Sequence, residues 1–484
     1  MPRPSHSSLA RRTQTLALIC SIVLILICFF HEAVPRHLFD PAGENRRFGN
    51  PPHPPPEPPI VTKPHTAPEI TITLTSTVIA SPLPTRRALL NGPPTNMFKD
   101  NLRSDVQYIT SWQGSGFTND VLSFINLLYL ARTTGRVAIL PSFSPTHVAA
   151  YSKSFPANLD FGEAFDLPRF TALSGIDAVE WGQVKNATSD VVDVLGCWNL
   201  WQAVSPNNKE PHYTRTTVDY KLDISYTIGP SWIKQHPDQA ENTHMRFSAI
   251  SSLAFPSRRN KALAQNRPAK SPTLGSELVP DEQLLCFDTT YWASELEGYD
   301  WSSDYSPAWR HVSQYLHYHP RVESLAQEYL RRMFGLAAEE PIPPFVVVHA
   351  RRGDFALWCK KEISVDECLP SIATFAKRVE EMKANLLKEK GISIHHVVMT
   401  SNERKEIWWD EVAAQGWFRP DHNSTREEHG VWYPILVDGA LQAMAKGIVG
   451  TDSSTVSQMS AQRIKSWNNG LSYMVKWGHL NADD

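Results

Sequence analysis

Phe345-Val-Val-Val-His-Ala-Arg-Arg-Gly-Asp-Phe355 is the stretch whose reading decides the fold. From Pro344 to Ala350 only His349 interrupts an apolar run rich in β-branched residues. A run this short and this uniformly apolar reads as a strand covered on both faces, the condition of a strand inside a parallel sheet. His349, Arg351, Arg352 and Asp354 then fall at its carboxyl end, where open parallel sheets bind their ligands.

The segments that follow keep the alternation going. Residues 322–334 read as a helix before this strand. After it come a long charged helix at 371–390, a strand at 394–400, and helices at 403–415 and 433–445. A short strand at 446–451 and a closing helix at 454–467 complete the run. Upstream, 105–111 reads as a strand and 112–119 as a glycine-containing turn. Residues 120–134 read as a helix ended by Gly135, and 136–141 as a second buried strand. Strands alternating with helices in both halves predict an α/β protein with two Rossmann-like domains facing a cleft. Residues 151–310 are rich in Pro, Trp and Ser and weakly periodic, with a disordered insertion expected around 258–276.

The amino-terminal hundred residues have a different character. Thr13 to Phe30 is free of charge, and its 18 residues would span roughly 27 Å as a helix. Arg3, Arg11 and Arg12 precede it without an acidic residue, which favours a cytoplasmic amino terminus. The proline run at 51–59 must be extended. The expected organisation is a cytoplasmic tail at 1–12, a transmembrane signal anchor at 13–31 and a Pro/Thr-rich stem at 32–100. An amino-terminal domain at 101–320 on the acceptor side and a carboxy-terminal domain at 321–484 on the donor side would follow. The short apolar span fits a single-pass type II protein of the Golgi or endoplasmic reticulum, with its bulk in the lumen. Cysteine usage agrees: two cysteines fall in the anchor, and four remain for an oxidising compartment. Four allow three pairings; Cys359–Cys368 is the easiest to form, leaving Cys197–Cys286. Asn186 and Asn423 open glycosylation sequons. A formal net charge of −3 gives no basic excess for nucleic acid, and the luminal cysteines lack metal-ligand spacing.

Three clusters carry possible chemistry. Adjacent arginines after the 345–350 strand can present forked donors to phosphate oxygens. As a sugar leaves its diphosphate, a fixed guanidinium can balance the growing charge in place of a metal ion. An Arg–Asp ion pair closing a loop, with His349 a core histidine, explains the same residues equally well. Gly450-Thr-Asp-Ser-Ser-Thr places Asp452, Ser453 and Ser454 at a helix amino terminus, suited to phosphate or ribose, although taken alone the segment reads more simply as a helix cap with a polar first turn. Gly114-Ser-Gly-Phe-Thr-Asn119 lacks the full dinucleotide glycine pattern.

Gly116-Phe-Thr-Asn119 with its helix, His349-Ala-Arg-Arg-Gly-Asp-Phe355, Met399-Thr-Ser-Asn-Glu403 and Gly450-Thr-Asp-Ser-Ser454 together resemble the GDP-fucose protein O-fucosyltransferases and their α1,6-fucosyltransferase relatives. The resemblance implies a GT-B fold and metal-independent, inverting transfer from GDP-fucose, with no cofactor beyond that donor. It implies that Arg351 is the catalytic cation, supported by His349. Arg352, Asp354, Gly116, Asn119, Asp452, Ser453 and Ser454 would complete the donor site. Some members carry Glu just before the Gly-Phe turn as general base; here the residue is Ser115. The base would then be Asp120, a residue in 151–310, or none, with leaving-group stabilisation supplying most of the rate. The expected partners are a nucleotide-sugar donor, a protein or glycan acceptor and a membrane. The alternatives are another nucleotide sugar on the same scaffold, or a silent luminal binding protein.

Overall fold

The structure is a computed structural model and describes residues 87–144, 148, 158–205 and 207–483. The expected tail, the anchor at 13–31 and most of the stem lie outside the described residues. Among those described, no helix is long and apolar enough to cross a membrane. Residues Ala88–Asp484 form one compact unit. Its first residues belong to the fold rather than to a stem. Thr95 bridges to Lys185, and Phe98 is buried against Trp181 at 5.8 Å between ring centroids.

The strands among the described residues are β1 (Tyr108–Ser111), β2 (Val137–Leu140), β3 (Ala178–Glu180), β4 (Asp193–Asn199), β5 (Leu222–Ile228), β6 (Met245–Arg246), β7 (Leu284–Phe287), β8 (Ala293–Ser294), β9 (Phe345–Ala350), β10 (His396–Ser401), β11 (Gly447–Thr451) and β12 (Leu471–Val475). Helices of eight residues or more are α1 (Phe117–Thr134), α2 (Leu167–Ser174), α3 (Pro256–Leu263), α4 (Pro320–Phe334), α5 (Ile372–Lys390), α6 (Glu406–Ala414), α7 (Tyr433–Met444) and α8 (Thr455–Asn468).

The larger sheet runs β3-β2-β1-β7-β4-β5 and the smaller β10-β9-β11-β12; every pairing in both is parallel. In the smaller sheet β9 pairs with β10 on one side and β11 on the other. The chain leaving β9 therefore emerges at the point where strand order reverses, the crevice in which such sheets hold ligands. All six residues of β9 are buried, as a strand covered on both faces requires. Helix ends follow local chemistry: Gly135, Gly335 and Gly391 close α1, α4 and α5 in the left-handed conformation, while Ser371 and Ser454 cap α5 and α8.

Residues 258–276, expected to be a disordered insertion, are built into the fold. They start within α3, and Ala269 N–H bonds Tyr226 O. Asp223 then gathers the segment, accepting from Ser271 Oγ at 2.7 Å, Thr273 N at 2.9 Å and Leu274 N at 2.7 Å. Polar composition concealed an anchor that is itself polar. Among the described residues two disulfides form, Cys197–Cys286 between neighbouring strands β4 and β7, and Cys359–Cys368 beyond β9. One core cluster contains residues of both sheets, including Ile109, Leu285, Val347 and Ile448.

Candidate functional site

A cleft of about 860 Å³ opens beyond the carboxyl ends of β9 and β10, walled on its other side by Phe117, Thr118 and Val121 of α1. His349 and Arg351 line it, with Met399–Glu403, Asp438 of α7 and Arg463 of α8.

His349 Nδ1 lies 2.7 Å from Ser457 Oγ, and that hydroxyl accepts from Thr451 N at 3.0 Å. The hydroxyl proton is thereby free to go to Nδ1, which places the ring's own proton on Nε2. Burial, reinforced by the Arg351 charge, pulls the His349 pKa down to about 3. The ring is a neutral donor, not a cation.

Arg351 is the cation. Its amide donates to Thr451 Oγ1 at 2.9 Å, and its guanidinium grips Asp354 with two bonds, 2.7 Å to Oδ1 and 2.8 Å to Oδ2. Asp354 Oδ1 also accepts from Asn402 Nδ2 at 3.0 Å. Burial works against the Asp354 charge, but the hydrogen bonds and charge of Arg351, with Asn402, hold its carboxyl below the usual range. Nε and Nη2 of Arg351 are thus taken, and Nη1 remains for a ligand. Gly353 permits this loop, because a Cβ there would come within 2.9 Å of Asn402 Nδ2. Asn402 Oδ1 in turn accepts from the amides of Arg352 and Gly353 at 2.8 and 3.1 Å.

Arg352 faces the other way. It is buried, its Nε 3.0 Å from Glu403 Oε2, its Nη1 3.0 Å from Pro370 O, and its guanidinium 5.4 Å from the Trp408 ring. Consecutive residues leaving a strand point to opposite faces, so only one of the pair reaches the cleft. Arg352 braces the loop and does not line the cleft.

Other sequence-derived candidates stand outside the lining. Gly116 is the amino-terminal cap position of α1, and Asn119 sits in its first turn. Asp120 is buried, with Oδ1 accepting Ser115 N at 2.9 Å; burial pushes its carboxyl well up despite the amides of Ser115 and Gly114. A carboxyl held inside the turn is badly placed to take a proton from a substrate in the cleft. Ser454 caps α8, Ser453 takes the left-handed conformation (φ 62°), and Asp452 O accepts from Trp477 Nε1 at 3.0 Å.

Sequence reasoning missed several residues of the lining. Asp438 is the single charge in the apolar Tyr433–Met444 helix, a signal that was there to be read. Its Oδ1 lies 2.9 Å from His422 Nε2. Arg463 is almost fully buried, donating to Tyr318 Oη at 2.6 Å, with Nε and Nη2 unpartnered. Nothing in its local sequence separates it from a surface arginine of an amphipathic helix.

Residues 108–390 match the GDP-fucose protein O-fucosyltransferase family, more than half of the chain. The chain belongs to that family. The fucosyltransferase is accordingly a glycosyltransferase with GDP-fucose as its donor. The matched stretch includes the Gly114–Asp120 turn and the His349–Asp354 loop and stops before Asn402, Asp438 and Arg463. No curated protein matches the fucosyltransferase in sequence. Among solved structures it is similar to POFUT1 in complex with GDP-fucose, at 16% identity over 77% of this chain and 98% of that one, TM-score 0.46. It is also similar to the NodZ α-1,6-fucosyltransferase soaked with GDP-fucose, at 13% identity over 74% and 93%, TM-score 0.38. The fucosyltransferase NodZ from Bradyrhizobium is similar at 12% identity over 74% and 93%, TM-score 0.37. Among the described residues of the fucosyltransferase, no group of three or more His, Cys, Asp or Glu could hold a metal ion.

Proposed function

We propose that the cleft is the donor site of a GT-B fucosyltransferase that inverts configuration at the transferred carbon, with Arg351 on the diphosphate and Asp438 on the guanine. The observation that carries this reading is the Arg351–Asp354 pair, aimed from the strand-order reversal of the smaller sheet into the cleft. An arginine whose Nε and Nη2 are fixed by a carboxylate presents its remaining edge without losing further side-chain freedom. As the bond from fucose C1 to the β-phosphate oxygen breaks, negative charge grows on that oxygen, and a preplaced guanidinium stabilises the charge most at the transition state. His349 Nε2–H adds a neutral donor beside it. The acceptor hydroxyl oxygen forms its bond to C1 from the opposite face and gives its proton to water, with Asp120 taking no part. At the far end, guanine offers two adjacent N–H groups on its Watson–Crick edge, which suit a carboxylate such as Asp438.

The rest of the chain supports a luminal setting for this chemistry. Two disulfides, exposed asparagines at both sequons and the uncharged segment at 13–30 fit a type II Golgi or endoplasmic-reticulum protein that modifies a protein or glycan acceptor. A thermal-shift screen of the purified chain with GDP, UDP and ADP tests the donor assignment. GDP should raise Tm most, and equal shifts from all three would remove it.

A further inference from the structure

Asp438 is not free to turn. His422 Nε2 sits 2.9 Å from its Oδ1, and His422 Nδ1 sits 3.1 Å from Thr425 Oγ1. Thr425 is fully buried, and its hydroxyl also bonds the hydroxyl of Tyr329 on α4. The His422 ring packs on the Tyr329 ring at 5.5 Å between centroids. A carboxylate oxygen can only accept, so the proton between the two residues belongs to His422 Nε2. Nδ1, the side of the ring without that proton, then accepts from Thr425, which in turn accepts from Tyr329. The chain of donors runs from the body of α4 to the cleft and ends on one oxygen of one carboxylate. Unrestrained, an aspartate χ2 torsion is broad and roughly two-fold. Here one lone pair of Oδ1 is tied, and Oδ2 with the second lone pair of Oδ1 is left for a ligand.

We propose that His422 is a positioning residue for the donor's base, holding Asp438 at the angle that meets guanine N1–H and its 2-amino N–H together. This rests on the reading of the cleft as the GDP-fucose site. The consequence is specificity. Hypoxanthine keeps N1–H but lacks the 2-amino group, and adenine places an acceptor at N1, which a fixed carboxylate repels. A carboxylate able to rotate would adapt to the loss of one N–H; a fixed one cannot.

The test is calorimetric titration of the full-length chain with GDP, IDP and ADP. Wild type should bind in that order of falling affinity. His422→Phe keeps the ring on Tyr329 and removes both nitrogens. It should weaken GDP about tenfold, bring the GDP:IDP ratio close to one and leave ADP no weaker than in wild type. His422→Gln carries an amide nitrogen to the place of Nε2 and should keep most of the ratio. Equal loss of all three nucleotides in His422→Phe, or an unaltered GDP:IDP ratio, overturns the proposal. Asp438→Asn separates the two levels. If it flattens the ratio while His422→Phe does not, Asp438 reads the base but His422 does not position it. If wild type shows no preference for GDP over ADP, the base-reading role of Asp438 fails, and the role of His422 with it.

Discussion

Among single residues, Arg351 is held by Asp354, which Asn402 holds in turn. Arg351→Ala removes charge from the place where the leaving group gains it and should lower kcat/KM for GDP-fucose by about 100-fold or more. Asp354→Asn leaves the cation present but unaimed, and about tenfold is expected in the same assay. Melting curves should show little change for either, since both side chains are partly exposed. His349 makes a separate prediction. Its pKa in the fold, about 3, lies below the usual histidine value, so between those limits the unfolded chain binds a proton that the native one refuses. Stability contributed by the neutral ring is therefore complete above pH 6.5 and declines as pH falls toward 3. Urea melts should show wild type losing about 1 kcal/mol per pH unit below 6 relative to His349→Gln. Identical slopes would contradict the burial of a neutral ring. The pair Arg351–Arg352 also marks the limit of what sequence could tell. Both residues follow the strand and both could grip phosphate; only the pleat decides, and it sends Arg352 to Glu403 and Trp408.

At the scale of elements, legibility followed chemistry that is local. Gly135 and the apolar run of β9 announce themselves, and the corresponding helix and strand fall within a few residues of where the pattern put them. The middle stretch did not, because its strands are specified from outside. β4 reads Asp-Val-Leu-Gly-Cys-Trp-Asn, a poor strand by propensity, yet it is fixed by β5, by the bond from Cys197 to Cys286 of β7 and by the 278–281 segment. Gly196 is the position where that last contact is closest, since a Cβ would collide with the Val279 carbonyl. Gly196→Ala should cost about 1–3 kcal/mol in denaturant melts, whereas alanine at Gly182, which has open space, should cost under about 1 kcal/mol. The Cys359–Cys368 bond closes the turn behind the Arg351–Asp354 loop, and Cys368 O accepts from Gly478 N at 2.8 Å. Replacing both cysteines with alanine should lower stability by about 2–3 kcal/mol and weaken GDP binding several-fold. Unaltered GDP affinity would show that the loop keeps its shape without the bond.

For the whole molecule, alternating strands and helices sufficed to expect two large parallel sheets, and the described residues form these two beside a small two-stranded one, β6-β8. Their joint was beyond reach. Phe117 approaches Trp432 at 6.1 Å, and Arg463 of α8 packs on Tyr318 at 4.6 Å and Phe165 at 5.7 Å. Such contacts pair residues more than a hundred positions apart, and no window of sequence contains both partners. The cleft inherits that difficulty. Its proposed phosphate end was legible in one segment, while its proposed base end is assembled from His422, Asp438 and, through Thr425, Tyr329. Everything proposed for the cleft depends on Arg351 holding the diphosphate of a guanine nucleotide there. Calorimetric titration of the full-length chain with GDP, wild type beside Arg351→Ala, is the decisive measurement. Saturable one-to-one binding by wild type, weakened about 10- to 100-fold in the variant, is the predicted result. Absence of binding to wild type, or equal affinity in both proteins, would contradict it.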